Sequence, residues 1–323
     1  MEVLNGVILD QDSLHPDDID LSPLLDIDAI NWHSYANTAP EQTAERIAHA
    51  DIVLTNKVVL GAAEISAAAQ LKYIGILATG TNVVNHPAAQ QRGISINNCV
   101  AYGTASVVQH TWALILSLST HLQDNKRAAQ QDWHNSPFFS VLDYPVSELA
   151  GKTLGIIGYG ELGRGVATIG RAFGMKVISA AIPGWQSTAH NETPRLALPA
   201  FLASADVVSI HCPLSEQTRN LITTDELAQM KASALLINCA RGGIVNEQAL
   251  AEAVKQGIIA GAGIDVLSQE PPVEGNILLQ LDMPNLIVTP HCAWGSQQAR
   301  QRLVNQAGDK LRTFLNSVYR KTQ

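Results

Sequence analysis

The sequence has no run of Lys and Arg long enough to track a phosphate backbone. Its 21 basic residues are scattered among 29 acidic ones, for a formal net charge of −8, so nucleic acid is not an expected partner. It has no C-x-x-C pair either. Cys99, Cys212, Cys239 and Cys292 lie far apart, which argues against a disulfide framework or a zinc site; no metal is expected, and the four read as buried, reduced thiols. No apolar segment reaches membrane-spanning length: the most apolar helical stretch, VVQHTWALILSLST (107–120), is too short and carries Gln109 and His110. The N-terminal MEVLNGVILD shows no basic n-region, long h-region or small-residue cleavage site, so no signal peptide is expected and a cytoplasmic location is. Low-complexity segments and short repeats are missing too.

What the chain does have is 323 residues, 46% of them hydrophobic and 15% charged, enough for about two domains at roughly 100–200 residues each. Strand-like apolar runs alternate with helical segments throughout, the pattern of an α/β protein with parallel sheets. In the first third, VLNGVILD, DIVLTNK, LKYIGILATG and GISINNC read as strands. A long helix is expected over 106–126, then a loop containing Trp and Pro. A second series of six strands follows, in KTLGIIGYG, KVISAA, DVVSIHCP, ALLINCA, IAGAGIDV and LIVTPHCA, and a last amphipathic helix over 297–317. The expected fold class is therefore α/β, with two domains, each a parallel sheet with helices on both faces and a cleft between them. The final helix is expected to return to the first domain: 1–98 with 295–323 would form one domain and 99–294 the other.

KTLGIIGYGELGRGVATIGRAFGMKVISAA contains G-x-G-x-x-G at Gly158, Gly160 and Gly163. An apolar strand precedes it, a helix with Val166, Ile169 and Phe173 on one face follows, and a second strand starts near Lys176. In that setting Gly158 allows a tight turn, Gly160 admits a pyrophosphate, and Gly163 lets helix pack on strand, the fingerprint of a dinucleotide site. An Asp or Glu about 20 residues on usually holds the adenosine ribose. Here the second strand ends Ser179-Ala180-Ala181-Ile182-Pro183, and no Arg or Lys lies between Ala181 and Asn191 to attract a 2′-phosphate. NAD is the expected cofactor; NADP stays open.

Three polar groups follow the ends of successive strands: Arg241 after ALLINCA, Glu270 after GAGIDVLSQ, and His291 in IVTPHCAW. Singly each has a plain alternative, as surface cation, helix-entry residue or satisfied buried histidine. Ligands, however, bind at the C-terminal edge of an open parallel sheet, where the three would converge.

The stretches ATGTNVVN, YGTASVVQHTW, ELAGKTLGIIGYGELG, VVSIHCPLSEQTRNLI, INCARGGIVNEQAL, GAGIDVLSQEPP and TPHCAWGS, in that order, resemble the D-isomer-specific 2-hydroxyacid dehydrogenases over essentially the whole chain. The loop at 133–145 and the Trp of PHCAW are most similar to the glycerate dehydrogenase (hydroxypyruvate reductase) branch. The resemblance implies a Rossmann-like nucleotide domain and a flavodoxin-like substrate domain. It implies reversible NAD(P)H-dependent reduction of a small 2-oxo acid, with hydroxypyruvate/D-glycerate or glyoxylate/glycolate favoured. Arg241, Glu270 and His291 take the catalytic positions: the guanidinium pairs with the substrate carboxylate and polarises its carbonyl. His291 exchanges the proton, and Glu270 on its other ring nitrogen favours the imidazolium.

By the same resemblance Glu161 and Leu162 lie against the pyrophosphate, and Cys212, Pro213 and Thr218 under the adenosine half. Cys239, Ala240, Arg241, Asp265 and His291 border the nicotinamide. Thr79, Gly80 and Thr81 form a loop binding the substrate carboxylate, beside Arg241 and His291. Tyr102 faces the cleft or packs a hinge. A homodimer is implied, with Trp112, Leu114 and Leu118 of the linking helix as interface or as core. Two other readings stand beside this one: a D-lactate or other D-2-hydroxyacid dehydrogenase, and an NAD(H)-sensing, corepressor-like binding protein.

Overall fold

Runs such as Ile52-Val53-Leu54-Thr55 and Leu235-Leu236-Ile237-Asn238 are short and apolar on both faces, the pattern of strands buried within a parallel sheet. In the computed structural model, which describes residues 3–182 and 193–320, both are strands with every residue buried. The chain divides into two compact units, Met1–Gly103 with Gly295–Gln323, and Thr104–Trp294.

The first unit holds β1 (Leu4–Ile8), β2 (Ile30–Ser34), β3 (Ile52–Thr55), β4 (Tyr73–Ile76) and β5 (Ser95–Asn98), and helices α1 (Ser22–Leu25), α2 (Pro40–Ile47), α3 (Ala62–Ala67) and α4 (His86–Gln91). Its sheet is all parallel in the order β2-β1-β3-β4-β5, the flavodoxin-like order. Ile47 of α2, Ile65 of α3 and Ala89 of α4 cover one face with Val7, Val53 and Ile74. The C-terminal helix Gln297–Arg320 serves the other, where Phe314 meets Tyr73 at 4.8 Å between ring centroids. Arg300 of that helix, nearly buried, forks onto Asp18 at 2.6 and 2.8 Å and reaches the carbonyls of Leu14 and His15. Strand β2 is one the sequence pattern does not announce: it is an edge strand whose Asn31, His33 and Ser34 face solvent.

Residues 99–103, expected in the second domain, group with the first unit, and the hydrogen bonds show why. The Cys99 N–H donates to Ala78 O, Val100 and the Gln306 amide exchange two bonds, and Arg302 Nε donates to Tyr102 O at 2.9 Å.

The second unit carries α5 (Thr104–Ser119), α6 (Leu122–Gln131), β6 (Thr153–Ile157), α7 (Glu161–Ala172), β7 (Lys176–Ala181), β8 (Arg195–Ala197), α8 (Leu198–Ser204), β9 (Val207–Ile210), α9 (Thr224–Gln229), β10 (Leu235–Asn238), α10 (Glu247–Lys255), β11 (Gly261–Ile264) and β12 (Leu286–Val288). The sheet is parallel throughout, ordered β12-β11-β10-β9-β6-β7-β8. That is the doubly wound order with the reversal between β6 and β9, and with seven strands rather than six. The extra one, β8, is a three-residue edge strand, too short to leave a pattern. α5 and α7 pack on one face with Ile156, Val207 and Ile237; α8, α9 and α10 pack on the other with Val208, Ile210 and Leu236.

Two helix expectations are corrected. The long helix expected over 106–126 breaks after Ser119. Ser119 and Thr120 turn their hydroxyls back onto the Leu116 carbonyl, and His121 takes the left-handed φ of +47; such side-chain bonds compete with the helical ladder. In α7 the buried stripe is Gly163, Val166, Ala167 and Gly170, while Ile169 and Phe173 are exposed. The helix lies so close to β6 and α5 that its contact face is built from small residues. Trp112, Leu114 and Leu118 are buried within this unit's core.

Candidate active site

Strand β10 ends in a turn that Asn238 folds. Its Oδ1 accepts the Ala240 N–H at 3.0 Å and its Nδ2 donates to Arg241 O at 2.9 Å. Cys239 and Ala240 stay buried and Arg241 emerges exposed. The next residue must be glycine for want of space: a Cβ on Gly242 would coincide with the backbone carbonyl of Leu267. Gly243 then turns the chain at φ +78. The two glycines after Arg241 therefore let the turn from β10 lie directly against the chain leaving β11.

That second chain runs through Asp265, Val266 and Leu267, all buried, to the half-exposed Glu270. Glu270 Oε1 accepts the Leu267 N–H at 2.8 Å, and Oε2 meets His291 Nδ1 at 2.6 Å. His291 follows β12 and has a positive φ of +51, a conformation that costs about 1–3 kcal/mol for a non-glycine residue and persists only where its surroundings enforce it. Asp265 is the enforcement. Its carbonyl accepts the His291 N–H at 2.8 Å, its Oδ1 accepts Cys292 N–H and the Thr289 hydroxyl, and its Oδ2 accepts Ala293 N–H. His110 of α5 completes the group at 3.0 Å from Thr289 Oγ1. β10, β11 and β12 are consecutive neighbours in the sheet, so Arg241, Glu270 and His291 leave the same edge.

The glycine loop sits at the strand-order reversal. Gly158 has φ +94, and a Cβ there would strike the backbone of His211 and Cys212 beyond β9 at 2.5–2.8 Å. A Cβ on Gly163 would collide with Gly158 O and Ile156, whereas one on Gly160 would meet nothing within 4 Å. Gly160 is the N-cap of α7 and supplies no side-chain cap, so the first-turn N–H groups of α7 face an open cradle of the kind that takes a pyrophosphate. Glu161 is exposed there, with Thr104 donating to its Oε1 at 2.5 Å, and Leu162 is half-buried.

After β9, Thr218 is fully buried and closes the loop onto itself. Its hydroxyl donates to Pro213 O at 2.7 Å and accepts the Ser215 N–H. Burial pushes the Cys212 thiol up to about 11 and Cys239 to about 12, so both are inert apolar wall. Cys99 is buried likewise, but Cys292, expected inside, is exposed. The first unit holds the other expected residues. Thr79, Gly80 and Thr81 follow β4, where Asn98 Nδ2 binds Thr79 O, and among the described residues their N–H groups have no backbone acceptor. Tyr102 is buried in that unit. Ala181 ends β7 half-buried; the ribose-reading stretch 183–191 lies outside the described residues.

A sequence model described as D-isomer specific 2-hydroxyacid dehydrogenase, NAD binding domain, matches residues 112–293. The glycerate dehydrogenase of Methylorubrum extorquens is 41% identical over 88% of this chain and 89% of its own. The chain belongs to the D-isomer-specific 2-hydroxyacid dehydrogenase family. The hydroxypyruvate reductase of Blautia hydrogenotrophica is 36% identical over 96% of both chains. A D-lactate dehydrogenase from Aquifex aeolicus, solved with NAD and lactic acid, superposes with a TM-score of 0.82 at 26% identity, covering 97% of this chain and 96% of that one. As a member of this family the protein is an NAD-dependent oxidoreductase, and the matched NAD-binding segment lies within the unit that carries the glycine loop, Arg241, Glu270 and His291. No helix among the described residues is long and apolar enough to cross a membrane.

Five residues in and around this candidate site escaped the sequence reading. Asn238 and Thr289 fall inside the expected strand segments ALLINCA and LIVTPHCA, and Glu247 has no role in that reading. His110 counted only against a membrane span, although a histidine on an apolar buried helix is itself a sign of a polar partner. His211 is the fifth: its Nδ1 is sealed from solvent with no hydrogen-bond partner among the described residues, while Nε2 meets Ser209 Oγ at 2.8 Å.

Proposed function

We propose that the enzyme reduces hydroxypyruvate to D-glycerate, and glyoxylate to glycolate, with Arg241, Glu270 and His291 as its catalytic residues. The observation that carries this reading is the 2.6 Å contact between Glu270 Oε2 and His291 Nδ1, on a histidine held at positive φ. With Nδ1 engaged by a carboxylate, the ring is oriented and proton exchange with a substrate falls to Nε2. Arg241, exposed at the same edge of the sheet, pairs with the carboxylate of a 2-oxo acid and polarises the neighbouring carbonyl. The bound nicotinamide supplies the hydride in reduction and takes it in oxidation. His291 gives its proton to the carbonyl oxygen in reduction and, neutral, removes the hydroxyl proton in reverse.

The N–H groups after Gly160, with Glu161, Leu162 and Gly163, hold the pyrophosphate in this reading. Cys212, Pro213 and Thr218 wall the adenosine side, and Cys239, Ala240 and Asp265 the nicotinamide side. Thr79, Gly80 and Thr81 offer N–H groups to a carboxylate. NAD is the cofactor of the family's binding domain; the absence of an acidic residue at Ala181 keeps NADPH within reach. The substrate preference is supported by the two relatives named for glycerate and hydroxypyruvate. The same reading makes the enzyme cytoplasmic, which its four free thiols support. It also makes it a homodimer, for which the 133–146 segment is the candidate contact: Phe138, Phe139 and Leu142, close in sequence, are 75%, 93% and 82% exposed.

The test is nicotinamide absorbance with NADH and NADPH crossed against hydroxypyruvate, glyoxylate, pyruvate and 2-oxobutyrate. Hydroxypyruvate or glyoxylate should turn over fastest. Pyruvate or 2-oxobutyrate in front would make this a D-lactate-type dehydrogenase, and no turnover with cofactor bound would favour a sensor.

A further inference from the structure

Glu247 begins α10, yet its carboxylate serves another segment. Oε1 accepts the Ser268 N–H at 2.6 Å; Oε2 accepts the Ser268 hydroxyl at 2.8 Å and Asn276 Nδ2 at 2.7 Å. Ser268 and Asn276 are the two ends of the excursion that carries Glu270. We propose that Glu247 is a positioning residue for the Glu270–His291 pair, an inference that rests on the role given to that pair above.

Three features separate this from an ordinary helix-start carboxylate. First, α10 already has its cap, because Asn246 Oδ1 accepts the Ala249 N–H at 2.9 Å. Second, Glu247 spends both oxygens across 21 and 29 residues of sequence rather than on its own first turn. Third, the same two segments touch again where Gly242 lies against Leu267. The turn presenting Arg241 and the excursion presenting Glu270 are thus pinned at both ends, by a backbone contact that only glycine permits and by the Glu247 clamp. Asn276 is itself fixed, its Oδ1 accepting the Leu278 N–H at 2.9 Å. Within the excursion Glu270 is held by Leu267 N–H on one oxygen and His291 on the other. Releasing the clamp loosens the carboxylate that faces the imidazole, and the ring is held less firmly.

The test compares Glu247→Gln and Asn276→Ala with Glu270→Gln as reference. The His291 ring signals are followed by NMR on histidine-labelled protein, with His291→Gln to assign them, and kcat/KM for hydroxypyruvate is followed against pH. Asn276→Ala leaves α10 untouched, so it reads the clamp even if Glu247→Gln folds poorly. Both should change the pH profile of reductase activity in the same sense as Glu270→Gln and by less. A fall in kcat of about 10- to 100-fold should accompany this, with NADH affinity unchanged. If Glu270→Gln changes the ring signals and the pH profile and neither other variant does, the positioning role is overturned while the pair stands. If Glu270→Gln itself moves nothing, the reading of the pair fails and takes this inference with it.

Discussion

Arg241 leaves its strand on a turn with no spare room, and its charge has no carboxylate partner within salt-bridge distance among the described ion pairs; its Nη1 donates only to the adjacent Ala240 carbonyl. A guanidinium held outward in this way is suited to an incoming anion. Arg241→Gln keeps the turn, since Asn238, Gly242 and Gly243 make it, and removes the charge. A charge-assisted pair is worth about 1.5–3 kcal/mol, so kcat/KM for the 2-oxo acid should fall about 10- to 100-fold while NADH titrated by fluorescence binds as before. Equal activity in the variant would favour the sensor reading.

His211 makes a different prediction. The residue as a whole is only part-buried, but Nδ1 is sealed, and burial lowers its pKa from 6.5 to about 4. The unfolded chain therefore takes up this proton before the folded one does. The contribution to stability is intact above 6.5 and is lost as pH falls toward 4. At about pH 4.5 the loss from this one ring should be about 2–3 kcal/mol. His211→Gln should flatten that part of the urea midpoint's pH dependence relative to wild type. A variant whose midpoint falls as steeply as wild type would show that the ring protonates in place.

At the scale of elements, glycine and alanine decide how closely helices seat. A Cβ on Gly155 of β6 would lie 2.6 Å from Phe201 Cζ, and Phe201 of α8 is fully buried. Gly155→Ala should cost about 1–3 kcal/mol through this overlap. Combining it with Phe201→Leu, which withdraws the ring, should recover part of the loss; thermal melts of the two single variants and the double one measure the coupling. Strict additivity would mean that the ring is not what the methyl meets.

The same fact explains why α7 was half legible. Its strand–loop–helix setting is written in the spacing of three glycines, but its buried face is not written in large side chains, so Ile169 and Phe173 drew the eye to the wrong stripe. The central strands were plain because both faces are apolar. The edge strands β2 and β8 were not, since one solvated side dilutes the pattern. The break at His121 was hidden in the hydroxyls of Ser119 and Thr120, which look harmless until they bond backwards. At the candidate site, the strand-end residues could be picked out because chemistry there interrupts an apolar run. Glu247 and Thr289, which hold those residues in place, act through partners distant in sequence and carry no local sign, whereas Asn238 folds its own turn inside an apolar run that hides it.

For the whole molecule, the exposed aromatic segment at 133–146 is the feature a single copy leaves unexplained. Trp133 Nε1 donates to Phe139 O at 2.9 Å, so the segment is folded back on itself rather than loose. For the homodimer proposed above, Phe139→Ser should shift sedimentation toward monomer while leaving the melting of the second unit's core within about 0.5 kcal/mol, as for a surface change. An unchanged sedimentation profile would remove this segment as the contact.

The first unit draws on both ends of the chain, and this has a consequence in time. During synthesis β1 to β5 emerge first, but the helix bearing Arg300 and Phe314 comes only after all of 104–294. At about 5–20 residues per second, that interval lasts about 10–40 s. For that span Tyr73 waits without its ring partner and Asp18 without its guanidinium, while the second unit, continuous in sequence, has everything it needs to fold. The unit that the ribosome begins first is therefore the one completed last.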